Sequence, residues 1–245
     1  MLVHGRDRGR GERTARELRH ESGNDGHRLY LADFAALDEV RAMGDLILAE
    51  QPGLHALVNN AGIGATLPGD GKRIESRDGY ELRFQVNYLA EFLLTRTLEP
   101  LLVRSRPARI VNVASAGQMP IDFDDVMLTR DYTPVRAYCQ SKLAQVMHTF
   151  DLAERFGADG VTANCLHPAT FMPTKMVYAA GVSPASTLEE GVEATWQLVA
   201  EPSLDGVSGR YFNGRGEDRA EAQAYDPEAR RTLRDLSDRL TRLTR

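Results

Sequence analysis

The chain has 245 residues, 42% hydrophobic and 27% charged, an ordinary globular composition long enough for one α/β domain or two smaller ones. A formal net charge of -5 gives no ground for expecting nucleic acid or an anionic membrane as a partner. No run approaches the roughly 20 apolar residues of a membrane span and no signal-peptide core opens the chain, so the cytoplasm is the expected compartment.

Leu2-Val3-His4-Gly5 reads as a brief strand, followed by Arg6-Asp7-Arg8-Gly9-Arg10-Gly11 and a polar helix over 12–21, with Gly9 and Gly11 at its entry. A turn at 23–26 leads to an alternating strand over 27–32 and to Asp33, a candidate N-cap for a helix reaching about Ala49. Leu37, Val40, Met43, Ile47 and Leu48 form its apolar stripe, and Pro52 and Gly53 end it. The strand over 54–58 runs into Asn59-Asn60-Ala61-Gly62, where small residues admit a ligand or a neighbouring strand and the asparagine amides can tie strand ends together.

Residues 63–80 are glycine-rich and charged, with a turn at Pro68-Gly69-Asp70-Gly71. The next helix carries Phe84, Val86, Leu89, Phe92, Leu93 and Leu98, and among them Asn87, whose amide is costly there unless bonded. A β-branched run over 108–114 delivers Ser115 to the carboxyl end of a buried strand, where open α/β sheets place their chemistry. The acids of the following loop, Asp122, Asp124, Asp125 and Asp131, match no calcium-loop spacing and read as a solvated face, so no metal is expected.

The helix over 136–156 has Tyr138 and Lys142 four apart on one face and buries Leu143, Val146, Met147, Phe150 and Leu152. A phenol must fall from a pKa of about 10 to exchange protons at neutral pH, and a neighbouring ammonium favours its phenolate. Ser115 could hold a carbonyl oxygen within reach of that phenol. His148 lies on another face, which argues against a second base; Cys139 and Cys165 have no metal-ligand or disulfide spacing and read as buried thiols. A strand over 161–168, a helix from Ser186 or Thr187 through Val199, a strand over 206–213 and a helix from Asp226-Pro227 complete the pattern.

Asn59-Asn60-Ala61-Gly62, Asn87 in Phe84-Gln85-Val86-Asn87, Ser115 after Val111-Asn112-Val113-Ala114, and Tyr138 with Lys142 stand in an order that resembles the short-chain dehydrogenase/reductase family, particularly its retinol-dehydrogenase-like and protochlorophyllide-reductase-like branch. The resemblance extends from Met1 to roughly Thr244 and implies one Rossmann-like domain over 1–245, a doubly wound parallel sheet flanked by helices, with a substrate lid at 172–186. It implies an NADP(H)-preferring oxidoreductase, with NAD(H) as the other cofactor. Tyr138 would be the acid or base, Lys142 its partner, Ser115 the carbonyl positioner and Asn87 the holder of a relay water. Cofactor contacts would come from Arg6, Asp33, Asn60, Ala61, Gly62, Tyr138, Lys142, Pro168 and Thr170, with Thr174 competing for the threonine role and Ala169 standing where the family has glycine. Arg6 suits a 2′-phosphate and Asp33 the adenine amine. The substrate would be a small-molecule carbonyl or alcohol, moderately large and apolar as the Met- and Tyr-rich lid suggests, and homo-oligomerisation stays open.

By the same resemblance Leu2-Val3-His4-Gly5 is the family's second strand, so the sheet is expected to be incomplete at the N-terminus, lacking the first strand and glycine-rich turn. An upstream start codon, a truncated gene or adaptation to the loss would each account for this. A cofactor-free scaffold, isomerase or lyase is then the alternative to a redox enzyme.

Overall fold

The computed structural model describes residues 1–66, 68–157 and 159–243; Thr244, where the resemblance ends, lies outside them. Strand β1 (Leu2–Gly5) leads through a turn into α1 (Arg8–Ser22), then β2 (Arg28–Leu31), α2 (Leu37–Glu50) and β3 (Ala56–Asn59). A π-helical turn, Phe84–Leu89, continues as α3 (Ala90–Arg104), followed by β4 (Ala108–Val113), α4 (Pro134–Phe156) and β5 (Val161–His167). Beyond it lie α5 (Lys175–Ala179), α6 (Leu188–Ala200), β6 (Tyr211–Asn213), β7 (Gly216–Asp218) and α7 (Pro227–Leu240). β1 and β2 pair in parallel; the second sheet runs β3-β4-β5-β6-β7, parallel until the antiparallel β6–β7 hairpin.

The start of the chain corrects the expectation of an incomplete N-terminus. A strand–turn–helix unit is present: β1 is paired from Leu2↔Arg28 to Gly5↔Leu31, and Gly5, Gly9 and Gly11 have the G-x-x-x-G-x-G spacing across the turn into α1. Gly9 and Gly11, read as a helix entry while a glycine-rich turn is expected upstream of Leu2, occupy the strand-to-helix junction itself. Asp7 caps α1 by accepting from the Arg10 N–H at 2.8 Å. A Cβ on Gly11 would stand 2.7 Å from Leu29 Cδ1, so a larger residue there would require that leucine to shift.

β4 is apolar on both faces because both are covered. Ile110 packs with Leu102, Leu152 and Phe156, while Val111 and Val113 pack with Ala194, Leu198 and Phe212. The largest core cluster joins α2, α3 and α4 through Val40, Met43, Leu93, Leu143 and Met147. Burying each such side chain favours folding by about 1.5–3 kcal/mol. Within this apolar setting Asn59 Nδ2 donates to Asn112 Oδ1 at 2.9 Å and to Thr95 Oγ1 at 3.0 Å, and Asn112 Nδ2 donates to Thr149 Oγ1 at 2.9 Å. The strand ends are thereby tied together with their buried amides satisfied.

Two loop assignments change. Asp33 does not cap a helix at Phe34: α2 begins at Leu37, whose N–H donates 2.9 Å to Asp78 Oδ2 from the 63–80 loop. Asp125 is buried rather than solvated and accepts from the Thr129 and Arg130 N–H groups. Burial pushes its carboxyl up, but those bonds and the Arg130 charge together pull it down to about 2. Among the described residues, no helix is long and apolar enough to cross a membrane.

Helix α4 carries the reactive residues, and its start is locally specified. Thr133 accepts from the Arg136 N–H at 3.1 Å and Pro134 occupies the first turn. Thr133→Ala should cost about 1 kcal/mol and lower the melting temperature by roughly 2–4 °C in a circular-dichroism melt. An unchanged melt would show that the cap contributes nothing.

Candidate active site

Ser115 lies just beyond β4, its carbonyl held by the Tyr211 hydroxyl at 3.2 Å and the Gln118 amide at 2.8 Å. Its Oγ accepts from the Gly117 N–H at 3.0 Å. A Cβ on Gly117 would meet Ser115 Oγ at 3.5 Å and Tyr138 Cε1 at 3.6 Å, which places this glycine beside both side chains. Burial pushes the Tyr138 phenol up from its ordinary pKa, while hydrogen bonding with Ser115 pulls it back.

Lys142 Nζ lies 5.8 Å from the centre of the Tyr138 ring. The ammonium is buried and donates to Val113 O at 2.9 Å and Gln145 Oε1 at 2.7 Å. Burial pushes Lys142 down and the nearby Glu91 up, and each charge offsets the other's shift. Gln145 Nε2 donates to Glu91 Oε2, so one amide bridges the carboxyl and the ammonium.

Asn87 sits in the π-helical turn. Its Oδ1 accepts from Ile63 N at 2.8 Å; its Nδ2 donates to Ile63 O at 3.1 Å and Ser141 Oγ at 2.9 Å. The side chain thus fastens the loop after β3 to α4. A Cβ on Gly62 would stand 3.1 Å from Asn87 Oδ1 and 3.7 Å from Lys142 Nζ. Ser115, Tyr138, Lys142, Asn87 and Gly62 therefore converge at the carboxyl ends of β3 and β4, with Asn60 and Ala61 exposed beside them.

The other sequence candidates lie on the loops after β1, β2 and β5. Arg6 is exposed in the turn after β1, and Asp33 follows β2; both strands belong to the two-stranded sheet. Asp33 accepts from the Ala35 N–H at 3.0 Å and lies 3.6 Å from Arg77 Nη2. Pro168 is buried after β5; Thr170 is exposed, its Oγ1 3.1 Å from His167 Nε2, while Thr174 caps α5. His148 is enclosed with Phe92 and Tyr88, and burial with the Arg96 charge drives its pKa to about 3. Both cysteines are free and buried.

Sequence reading missed Gln145 and Glu91. The signal was there: Glu91 interrupts an apolar run four residues after Asn87, and Gln145 follows Lys142 by three.

A model of the short chain dehydrogenase family matches residues 1–185. The chain belongs to that family. As a short-chain dehydrogenase it is an oxidoreductase of the NAD(P)-dependent kind, and the scaffold, isomerase and lyase alternatives lose the missing turn that motivated them. It is 34% identical over 259 residues to retinol dehydrogenase 14 of Mus musculus, covering 95% of this chain and 75% of that one. Retinol dehydrogenase 13 of Homo sapiens is 35% identical over 256 residues, covering 97% and 76%. Among solved structures, this short-chain dehydrogenase superposes with a TM-score of 0.73 and 26% identity on an uncharacterized protein from Mycobacterium paratuberculosis, covering 98% of this chain and 83% of that one. Its fold also matches a gluconate 5-dehydrogenase from Burkholderia cenocepacia in complex with NADP and tartrate, with a TM-score of 0.66, 20% identity and coverage of 86% and 82%.

Proposed function

We propose that this short-chain dehydrogenase prefers NADP(H) and interconverts a carbonyl and an alcohol on an apolar molecule. The convergence of Ser115, Tyr138 and Lys142 at the strand ends carries the reading. The residues present fit a dinucleotide. Gly62 leaves open a space that a Cβ would take from Asn87 and Lys142, and the Lys142 ammonium, with two acceptors inside the protein, keeps a third N–H to offer. Asn60, Ala61, Gly62, Tyr138, Lys142, Pro168 and Thr170 would hold the cofactor, with Asp33 toward its adenine and Arg6 toward a 2′-phosphate. When bound, the cofactor supplies or accepts the hydride.

The protein's own part is proton transfer and placement. Ser115 donates to the carbonyl oxygen and holds it beside Tyr138. A phenol raised by burial keeps its proton at neutral pH, as the acid in a reduction must, and gives it to that oxygen. In the reverse direction Tyr138 starts as the phenolate, the form the Lys142 ammonium favours, and becomes the phenol on taking the alcohol proton. Asn87 keeps the loop carrying Gly62 against α4, the setting for the relay water assigned to it. Residues 172–186 form the lid: Phe171 at its edge and Met176 and Tyr178 within it expose large apolar surface, which suits an apolar substrate, as do the names of the retinol dehydrogenase relatives.

The test is oxidation of NADPH, followed by absorbance, with apolar aldehydes and ketones of increasing length, retinal included. Turnover that rises with apolar length supports the reading; no saturable quench or enhancement of NADPH fluorescence on adding protein refutes it. Arg6→Ala should weaken NADPH by roughly 10- to 100-fold, the loss of charged hydrogen bonds to a phosphate, and leave NADH little changed. Equal weakening of both would remove Arg6 from the phosphate site.

A further inference from the structure

The buried path from Glu91 to the active lysine goes beyond the proton-transfer group described above. Glu91, from α3, is 3% exposed, Gln145 1% and Lys142 5%. Gln145 Oε1 accepts from Lys142 Nζ, and Gln145 Nε2 donates to Glu91 Oε2. The amide is thus oriented with its oxygen toward the cation and its N–H toward the carboxylate, which strengthens both bonds when the two ends are charged. Glu91 Oε1 is buried and finds no hydrogen-bond partner among the described residues. Placing a carboxyl there is expensive, and the Gln145 amide and the nearby ammonium together offset the cost.

We infer that Glu91 is a positioning residue: through Gln145 it holds the Lys142 ammonium in place and keeps it charged beside the Tyr138 phenol. Its consequence for catalysis rests on the reaction proposed above; its effect on Lys142 does not. Burial drives Lys142 toward the neutral amine, and the Glu91 charge works against this. A lysine without its charge gives the phenol no electrostatic help, so Glu91 would set the pH range over which Tyr138 can act as base. Other titratable groups facing the pair are Tyr138 on α4, Tyr88 in the π-helical turn, and Cys165 and His167 on β5. The substitutions below leave all of them in place.

Lys72, Lys142 and Lys175 are the lysines of the chain, so carbon-13 labelling at lysine Cε gives a spectrum in which Lys142 can be followed by itself. In Glu91→Gln, which keeps the shape and removes the charge, the Lys142 midpoint should move to lower pH by roughly one pH unit, the scale on which an opposite charge acts. Gln145→Leu should move it in the same direction, and Glu91→Asp should restore it in part. A residue that only packs would lower the melting temperature without moving that midpoint. Unchanged Lys142 midpoints in both Glu91→Gln and Gln145→Leu overturn the inference. In alcohol oxidation, the rise of kcat/KM with pH should shift upward in Glu91→Gln while KM for NADP stays close to its original value. A shifted lysine midpoint in a protein with no NADP-dependent turnover would uphold the network and reject the proposed reaction.

Discussion

Tyr138→Phe is expected to reduce turnover by roughly 10²- to 10⁴-fold, the usual contribution of a positioned acid or base. The substitution removes one oxygen from a half-buried ring and leaves the ring's place beside Gly117 intact. NADPH affinity, read by fluorescence titration, should change little, because Lys142 keeps its bonds to Val113 O and Gln145 Oε1. The same loss should appear in both reaction directions, since the group that gives the proton in one takes it in the other. Turnover equal to that of the unsubstituted protein would assign proton transfer to another group.

The largest expected effect on stability comes from Arg83→Leu. Arg83 is fully buried and donates from Nε to Gly64 O at 2.9 Å, from Nη2 to Ala65 O at 2.8 Å and Pro68 O at 3.2 Å, and from Nη1 to the Tyr132 hydroxyl at 2.8 Å. It also lies 3.7 Å from Glu81, itself buried. Leucine restores some apolar volume but abandons three carbonyls and an acid whose pKa burial already raises. Breaking a buried pair by removing one partner costs about 3–5 kcal/mol, a fall in melting temperature of roughly 6–20 °C for a chain of this size. Adding Glu81→Gln to Arg83→Leu should recover part of the loss by neutralising the stranded carboxyl. A double variant no more stable than the single one would mean that the carbonyls, not the charge, account for the effect.

The parts of this molecule legible in its sequence are those with a local cause. Apolar periodicity located α2, α4 and α7 to within a few residues, and the β-branched run of β4 announced a strand covered on both faces. Ser115, Tyr138 and Lys142 were legible because a motif order links them. The first strand and its turn were misread because Gly5, Gly9 and Gly11 were measured against an arrangement expected farther upstream. What remained hidden depends on partners distant in the chain: Asp78 meeting the start of α2, Arg83 gathering the carbonyls of a loop, and Glu91 reaching Gln145 on another helix. The β6–β7 hairpin was missed for another reason, since Gly216-Glu217-Asp218 has neither the alternation nor the β-branched residues of a strand and pairs only because β6 offers an edge.

The π-helical turn has a bearing on how this chain can change. An α-helix advances about 100° per residue, and a turn closed over five residues instead of four accommodates one more than a regular helix needs. Losing a single residue between Phe84 and Leu89 would let the segment anneal into an uninterrupted α-helix with better backbone bonding. Because the π turn already takes up that extra residue, the helix beyond it would keep its phase, with Glu91 still toward Gln145 and Thr95 still toward Asn59, and the change would fall on Asn87 inside the turn. A one-residue loss would thus be absorbed within the turn, and what it would disturb is the hold of Asn87 on Ile63 and Ser141.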